Sequence, residues 1–248
     1  MRKIAILRLP FTGRRDEFLP LRGDPCLDAQ WVRPNEFQDV FPRGVDVIIL
    51  PGSGASVRDL EYLRSSGGAR IVQKHLSGGG VVVGICGGYQ ILGQWLLDPF
   101  KRQGGRERIE GLGFLPISTL FGPKLVSIIT TASLLHGDGS LVSGEEHRSG
   151  FSWESAPTDA YLPLSKVEQR LHHQSGAWRS RPGGQKYTCD TPEQPFQASF
   201  QRIEDIIWSP GSEPLDGHVS TDRQVWGTYL HLIFHNSAFT RAVISSRP

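Results

Sequence analysis

The sequence has few cysteines, a single methionine and almost no excess of charge of either sign. Its three cysteines, Cys26, Cys86 and Cys189, cannot all pair and lack the spacing of a metal site, so neither a disulfide framework nor a metal site is predicted. Lys and Arg number 27 against 25 Asp and Glu, and this net charge of +2 is too small to favour binding along a nucleic-acid backbone. We therefore expect at least one free cysteine and no nucleic-acid partner.

Long hydrophobic runs are also missing. No stretch of about 18 uncharged apolar residues occurs, and Arg8 interrupts the short apolar segment that follows Met1-Arg2-Lys3. This pattern fits neither a spanning helix nor a signal peptide, so we expect a soluble cytoplasmic protein with no membrane partner. With 248 residues, 38% of them hydrophobic and 21% charged, the chain can bury a sizeable core. We predict one domain over residues 1–248.

The first half of the chain alternates strand-like and helix-like segments, which is typical of an α/β fold with a doubly wound, mostly parallel sheet. Short continuous apolar runs predict buried strands, and apolar residues at helical spacing predict helices. Strands are predicted at 3–7, 29–32, 45–50, 81–85, 112–119, 125–131 and 225–231, and helices at 56–64, 69–76, 89–97 and 236–245. Residues 156–195 are rich in Gly, Pro, Ser and Gln without periodicity, which predicts an irregular insertion.

Cys86 directly follows the predicted central strand 81–85 and precedes Gly87 and Gly88. A strand that presents a nucleophile on a sharp turn, between small neighbours that let substrate approach, is a nucleophile elbow. A helix that begins after Cys86 would direct its positive end at the sulfur and favour the thiolate. The alternative is a buried structural cysteine. The double glycine argues against that alternative, because a core position does not require neighbours without a Cβ.

A cysteine nucleophile needs a base, and histidine is the usual one because its pKa lies near neutrality. Among eight histidines, His231 follows an apolar run and precedes the last predicted helix, where a side chain can reach the carboxyl edge of a sheet. His75 is too near Cys86 in sequence to reach it easily. The other histidines weighed lie in polar stretches, namely His136, His172, His173 and His218. Spacing therefore makes His231 the candidate base.

Several motifs lie in order along the chain. They are Leu-Pro-Gly-Ser at 50–53, Asp-Leu at 59–60, Gly-Ile-Cys-Gly-Gly-Tyr-Gln at 84–90, Asp-Pro at 98–99, Glu-Gly-Leu-Gly at 110–113 and Gly-Thr-Tyr-Leu-His at 227–231. Together they resemble the class I glutamine amidotransferase family, and in particular the glutamine amidotransferase domain of cobyric acid synthases. The resemblance implies a flavodoxin-like α/β fold and the hydrolysis of the side-chain amide of glutamine to glutamate and ammonia.

The resemblance also implies roles for individual residues. Cys86 would attack the amide carbon, His231 would pass the proton to the leaving ammonia, and water would resolve the γ-glutamyl thioester. The backbone at Gly52 and Gly87 would form the oxyanion hole, and Gln90 would contact the substrate glutamine. The resemblance implies no metal ligand in this domain.

The chain departs from the family in two loops. The opening loop has Arg-Arg-Asp-Glu at 14–17 where the family usually has a polar Asn and Asp, and Ser-Gly-Glu-Glu-His at 143–147 replaces a Gly-Tyr-Glu-Ile-His segment. Glu145 and His147 align with the family's Glu and His. We keep them as candidate substrate-side or interdomain residues, with solvated surface charge as the alternative.

A further departure concerns the acid that usually orients the catalytic histidine. Many members of the class have a glutamate two residues after that histidine, where this chain has Ile233. We therefore expect a Cys86–His231 dyad without an orienting acid, as in the branch that the chain resembles.

In the family, the ammonia passes to an ATP- and Mg-dependent synthetase that amidates carboxylates of the corrin ring in cobalamin biosynthesis. The sequence has no Gly-x-x-x-x-Gly-Lys-Ser/Thr phosphate loop, so we expect ATP and Mg on a partner synthetase that acts in trans or derives from a split gene. Two alternatives stay open. One is a decayed or regulatory module that does not turn glutamine over, and the other is a glutaminase for a different acceptor, such as cobyrinic acid a,c-diamide or a cell-wall precursor.

Overall fold

The computed structural model describes residues 1–134, 141–154, 179–181, 184–188, 200–203 and 215–245. Strands β1 to β8 are Arg2–Leu7, Leu27–Val32, Val47–Leu50, Val81–Ile85, Trp95–Leu97, Arg108–Glu110, Ile117–Leu134 and Leu141–Glu154. Strands β9 to β15 are Arg179–Arg181, Gly184–Thr188, Phe200–Ile203, Leu215–Asp216, His218–Val219, Val225–Thr228 and Leu230–His231. Helices α1 to α6 are Leu19–Gly23, Phe37–Val40, Ser56–Ser65, Gly68–Ser77, Gly87–Leu92 and Ser237–Ser245.

A six-stranded sheet forms the centre of the described part, in the order β13-β14-β4-β3-β1-β2. Every neighbouring pair is parallel except β13 with β14. The residues of β3 and β4 are all buried, as expected for strands that are apolar on both faces and covered by helices. This order confirms the predicted α/β fold with a mostly parallel, doubly wound sheet.

A second sheet is built on the long antiparallel pair of β7 and β8. The other edge of β7 pairs with two shorter strands, β5 at residues 118–120 and β11 at residues 131–134, and these are followed by β6 and β12. Strand β15 joins the same sheet by pairing with β8, which places His231 opposite Glu145. Only Tyr229 separates β14 from β15, so the chain passes from the parallel sheet to the second sheet directly before His231.

Helix α5 lies unusually close to the central sheet because glycines remove the side chains between them. A Cβ at Gly88 would overlap the carbonyl oxygen of Leu50, and one at Gly227 would overlap the ring of Tyr89. A Cβ at Gly84 would lie 2.6 Å from Leu92 Cδ1. The glycines of the elbow motif and of the Gly-Thr-Tyr-Leu-His motif are therefore packing requirements.

The predicted helix over 89–97 is wrong in its second half. The helix ends at Leu92, and Trp95–Leu97 is a strand between β6 and β7. Gly93 takes an extended conformation with ψ −175°, and a Cβ there would lie 2.6 Å from the carbonyl oxygen of Ile117. Pairing with two strands overrides the helical spacing of the apolar residues, as tertiary context often does.

Most other predicted elements are confirmed with small changes of boundary, including the first strand, the two central strands and the last helix. The predicted strand over 112–119 begins only at Ile117. The insertion expected at 156–195 lies outside the described residues apart from β9 and β10, which pair with each other. Among the helices that the structure describes, none has the length and apolar character to cross a membrane.

Substituting Gly88 by Ala should destabilise the fold. The new methyl group would push α5 away from β3, and such overpacking costs about 1–3 kcal/mol or more. Urea unfolding followed by circular dichroism measures the loss. Gly105→Ala is the matched control because no atom lies within 4 Å of its added Cβ. Equal unfolding midpoints for the two variants would contradict the close packing of α5.

Candidate active site

Cys86 lies at the turn between β4 and α5 with φ 48° and ψ −104°. This backbone conformation is sparsely populated for a residue with a side chain, and it persists only where neighbours fix it. The Cys86 N–H donates to the carbonyl of Thr228 at 2.7 Å, and the Cys86 carbonyl accepts from the N–H of Gln90 at 3.1 Å. The side chain is buried, with 5% exposed. The structure thus has the sharp strand-to-helix turn that the sequence predicts.

His231 is brought to Cys86 by the crossing of the chain from β14 to β15. Its imidazole hydrogen-bonds the Cys86 side chain. Its Nδ1 lies 3.0 Å from Oε2 of Glu17, so Nε2 is the nitrogen available to the thiol. The predicted pair of Cys86 and His231 therefore forms, and the imidazole has a partner on each side.

Glu17 is the residue that the sequence reasoning missed. It lies in a short 3₁₀ turn, Asp16–Phe18, and its side chain is fully buried. Besides His231, its Oε2 accepts the N–H of Leu232 at 3.4 Å. The expectation of a dyad without an orienting acid is wrong, because the acid comes from the N-terminal loop instead of the position after the histidine. A glutamate in an arginine-rich loop has no local pattern that could have indicated this role.

The pKa of His231 reflects its position between two acidic groups. Burial lowers this pKa. The hydrogen bonds to Cys86 and Glu17 and the negative charges of both groups raise it by more than burial lowers it, and the resulting pKa is about 10. The imidazole is therefore protonated at neutral pH. An imidazolium next to a cysteine favours the thiolate, which is the nucleophilic form.

The loop after β3 closes the site on the side of Gly52. A Cβ at Gly52 would lie 2.5 Å from Cε1 of His231, and a Cβ at Gly87 would lie 2.7 Å from the backbone nitrogen of Ser53. The structure thus brings Gly52 and Gly87 together beside Cys86 and His231. Their role as an oxyanion hole stays a prediction that this proximity supports.

The N-terminal loop is fixed to the loop after β3 by main-chain bonds. The Gly13 N–H donates to the Gly52 carbonyl at 2.9 Å, and the Gly54 N–H donates to the Phe11 carbonyl at 3.0 Å. These bonds flank an isolated bridge between Thr12 and Ser53. The loop that carries Glu17 and the loop that carries Gly52 therefore form one unit.

Asp59, on α3, binds both the N-terminal loop and the loop after β3. Its fully buried carboxylate accepts the Phe11 N–H at 3.0 Å and the Ser53 hydroxyl at 2.6 Å. Burial raises the pKa of Asp59, while the two hydrogen bonds lower it and leave a net increase. Asp59 thus binds one residue of each loop and fixes the position of one loop relative to the other.

Gln90 is engaged by the protein itself. Its Oε1 accepts the Ser56 hydroxyl at 2.7 Å, and its Nε2 donates to the Tyr229 hydroxyl at 3.3 Å. Only 2% of the side chain is exposed. Gln90 thus ties α5 to α3 and to the segment before His231, and its contact with substrate stays a prediction.

Glu145 is half-buried on β8 and forms an ion pair with Arg14 of the N-terminal loop. Since Glu145 is paired in register with His231, this ion pair ties the N-terminal loop to the strand that carries the base. A substrate-side or interdomain role for Glu145 stays a prediction, beside the alternative of a surface charge, here one that pairs with Arg14. His147 lies on the same strand, in register with Ser127, and its side chain lies outside the described part.

Comparison with known proteins identifies close sequence relatives. The family model of the CobB/CobQ-like glutamine amidotransferase domain matches residues 3–189. Cobyric acid synthase of Allorhizobium ampelinum is 31% identical over 244 residues, which cover 98% of this chain and 40% of that protein. Cobyric acid synthase of Nostoc sp. is 31% identical over 241 residues, which cover 97% and 39%. The chain thus spans about 40% of the length of these relatives.

Solved structures share the fold at lower sequence identity. A chain from the structure of PurLQS from Thermotoga maritima has a TM-score of 0.58 at 15% identity, over 99% of both chains. A protein assigned as a GMP synthase subunit, from Thermoplasma acidophilum, has a TM-score of 0.53 at 16% identity, over 99% of this chain and 94% of that one. These likenesses support the fold.

Replacing Glu17 by Gln should shift the pH dependence of stability. Because the folded-state pKa of His231 is raised from 6.5 to about 10, protonated His231 stabilises the fold fully below pH 6.5, and this stabilisation is lost as the pH rises through about 10. The amide that replaces the carboxylate lacks the negative charge, so the folded-state pKa of His231 falls, the stabilisation below pH 6.5 is smaller, and its loss is complete at a lower pH than in the wild-type chain. Urea unfolding between pH 6 and 10 measures the shift.

The matched control for this variant is Glu36→Gln, which removes a carboxylate from an exposed pair with Arg33. An exposed pair contributes about 0–1 kcal/mol, so its stability should follow that of the wild-type chain across the range. Parallel pH profiles for Glu17→Gln and the wild-type chain would show that Glu17 does not raise the pKa of His231.

Gly52→Ala should reduce the reactivity of the Cys86 thiol. The added Cβ displaces His231, and the thiolate loses the imidazolium that favours it. We expect alkylation of Cys86 by iodoacetamide at pH 7 to slow by about tenfold or more. Mass spectrometry of the labelled peptide measures the rate.

The matched control is Gly54→Ala. Its added Cβ lies 3.9 Å from the nearest neighbouring atom, so the rate should not change. An unchanged rate in Gly52→Ala would place His231 elsewhere.

Proposed function

This chain belongs to the CobB/CobQ-like glutamine amidotransferase family, and from that premise we propose that it is a glutaminase that supplies ammonia to an ATP-dependent synthetase. The observation that carries the proposal is the buried series of Cys86, His231 and Glu17 at the elbow after β4. A module that has lost catalysis has no reason to keep a buried carboxylate and imidazolium in contact, because burying such charges is costly.

The proposed reaction begins with attack of the Cys86 thiolate on the side-chain amide carbon of glutamine. The imidazolium of His231 gives its proton to the leaving nitrogen, the C–N bond breaks, and ammonia and a γ-glutamyl thioester remain. Neutral His231 then takes a proton from water, which attacks the thioester carbon. Breaking the C–S bond releases glutamate and restores the thiolate and the imidazolium.

Glu17 and the glycine loops support these steps without exchanging atoms with the substrate. Glu17 holds Nδ1 of His231, so Nε2 faces the sulfur and the leaving nitrogen throughout the cycle. The backbone around Gly52 and Gly87 lies beside the pair, where N–H groups can stabilise the oxyanion of the tetrahedral intermediates. We propose that Gln90, which accepts the Ser56 hydroxyl at 2.7 Å, also contacts the substrate glutamine.

The proposed acceptors are carboxylates of the corrin ring, in cobalamin biosynthesis. The support is the identity of about 30% to cobyric acid synthases over nearly the whole of this chain. In this proposal ATP and Mg bind to the synthetase, which activates each carboxylate for attack by ammonia. The reaction needs a reduced thiol and ATP, so we place it in the cytoplasm.

Purified chain should release glutamate from glutamine, and Cys86→Ala should abolish that release. Loss of a nucleophile that acts together with its base typically costs on the order of 10⁴-fold or more in rate. A glutamine-derived electrophile such as 6-diazo-5-oxo-L-norleucine should label Cys86, which mass spectrometry can locate. Cys26→Ala is the matched control because Cys26 is exposed and distant from the site, and it should keep full activity.

The same experiment tests the alternative of a regulatory module. A wild-type chain that neither hydrolyses glutamine nor takes the label, alone or with a cobyric acid synthase synthetase, would contradict the proposed function. Release that persists in Cys86→Ala would contradict the mechanism.

A further inference from the structure

A groove with a volume of about 610 Å³ lies at the carboxyl ends of β1 and β2. Arg8, Arg15 and Arg22 line it together with Leu19 and Trp31, and we call it the arginine groove. Its wall includes Asp16, which belongs to the same 3₁₀ turn as Glu17. The groove therefore lies beside the turn that contains Glu17. Like Cys86, it lies at the carboxyl ends of the strands of the parallel sheet.

The positive charge of the arginine groove is not neutralised within the described part of the chain. Arg8, Arg15 and Arg22 are exposed, and none forms an ion pair with a carboxylate among the residues that the structure describes. The one carboxylate in the wall, Asp16, is already bound by Arg14 at 3.1 and 3.4 Å. Three guanidinium groups thus line the groove, and the carboxylate that its described lining contains is already paired with Arg14.

Besides its arginines, the groove is lined by one aromatic side chain, Trp31, and by the apolar Leu19. The guanidinium of Arg15 lies 5.9 Å from the ring centroid of Trp31, and Trp31 packs edge-on against Phe18 with centroids 5.3 Å apart. Leu19 adds an exposed apolar side chain, with 57% of it accessible. A guanidinium held over an indole is oriented for planar carboxylates, while Leu19 and Trp31 can contact hydrocarbon. This combination fits an acidic peptide better than a small inorganic ion.

The position of the groove also suits an extended segment. β2 is the last strand on this side of the parallel sheet, so no further strand covers its outer edge within the described residues. A chain segment can lie along that edge while its carboxylates meet the arginines.

We propose that the arginine groove is a docking site for an acidic, extended segment of the synthetase that receives the ammonia. This inference rests on the proposed function, which requires the synthetase to approach the carboxyl ends of the parallel strands, where Cys86 lies.

A second basic groove provides the internal comparison. It lies at the amino ends of β3 and β4, far from Cys86, and its lining includes Arg43 and Lys74. It also contains Asp46, whose carboxylate lies 3.9 Å from the guanidinium of Arg2. This groove carries an internal ion pair and has no tryptophan in its lining, so we do not expect it to select acidic segments.

The test measures binding of a fluorescein-labelled, end-blocked hexaglutamate peptide to the full chain by fluorescence anisotropy at constant ionic strength. Arg15→Gln/Arg22→Gln should raise the Kd by about tenfold or more, because two charge-assisted contacts are lost. Arg43→Gln/Lys74→Gln removes the same charge from the opposite end of the sheet and should change the Kd by less than about twofold. All four side chains are exposed or lie at a groove surface, so circular dichroism should show folded proteins.

Three outcomes would overturn the inference. The first is no binding of hexaglutamate, and the second is equal weakening in both double variants, which would indicate unspecific charge attraction. The third is displacement of the peptide by inorganic phosphate at equal concentration, which would indicate a small-anion site. The readout needs no turnover, so a chain that binds the peptide but fails to hydrolyse glutamine would contradict the proposed function and leave the binding result intact.

Discussion

The carboxylate of Glu17 and the imidazole of His231 are buried side by side, and their contact determines where the surrounding loops can lie. Each charge alone would be costly to remove from water, so the pair is tolerated only because Nδ1 and Oε2 are 3.0 Å apart and Leu232 adds a further N–H. The two residues are 214 positions apart in the sequence. The site is therefore complete only when the N-terminal loop lies against β15.

Three further contacts hold the N-terminal loop in this position. Main-chain hydrogen bonds join it to the loop after β3, the Asp59 carboxylate binds both loops, and Arg14 pairs with Glu145 on β8. Cys86 and Gly52 follow strands of the parallel sheet and Asp59 lies on α3, whereas His231 and Glu145 lie on strands of the second sheet. The N-terminal loop thus crosses the junction between the two sheets, and the orientation of the base depends on both.

The sequence predicts the parts of the site that local pattern encodes. Cys86 follows a continuous apolar strand and precedes two glycines, and His231 ends an apolar run, so both can be found without a structure. Glu17 cannot, because its role arises from a contact across 214 positions and its neighbours have the pattern of a solvated polar loop. The end of the helix at Leu92 is hidden for a similar reason, since pairing of β5 with two other strands outweighs local helical spacing. Local rules fail here where long-range contacts decide the structure.

The turn Asp16–Phe18 has a buried face towards His231 and an exposed face towards the arginine groove. Glu17 and Phe18 are buried, while Arg15 and Asp16 are exposed on the side of the arginine groove. Phe18 also packs against Trp31 of the groove lining, so the residues that contact the groove and Glu17 share one short piece of backbone. No side chain caps this turn, and its position depends on the contacts at both faces. An occupant of the groove that binds more tightly when Glu17 contacts His231 would therefore favour that contact. The effect cannot exceed the difference between its binding free energies to the turn with and without the contact.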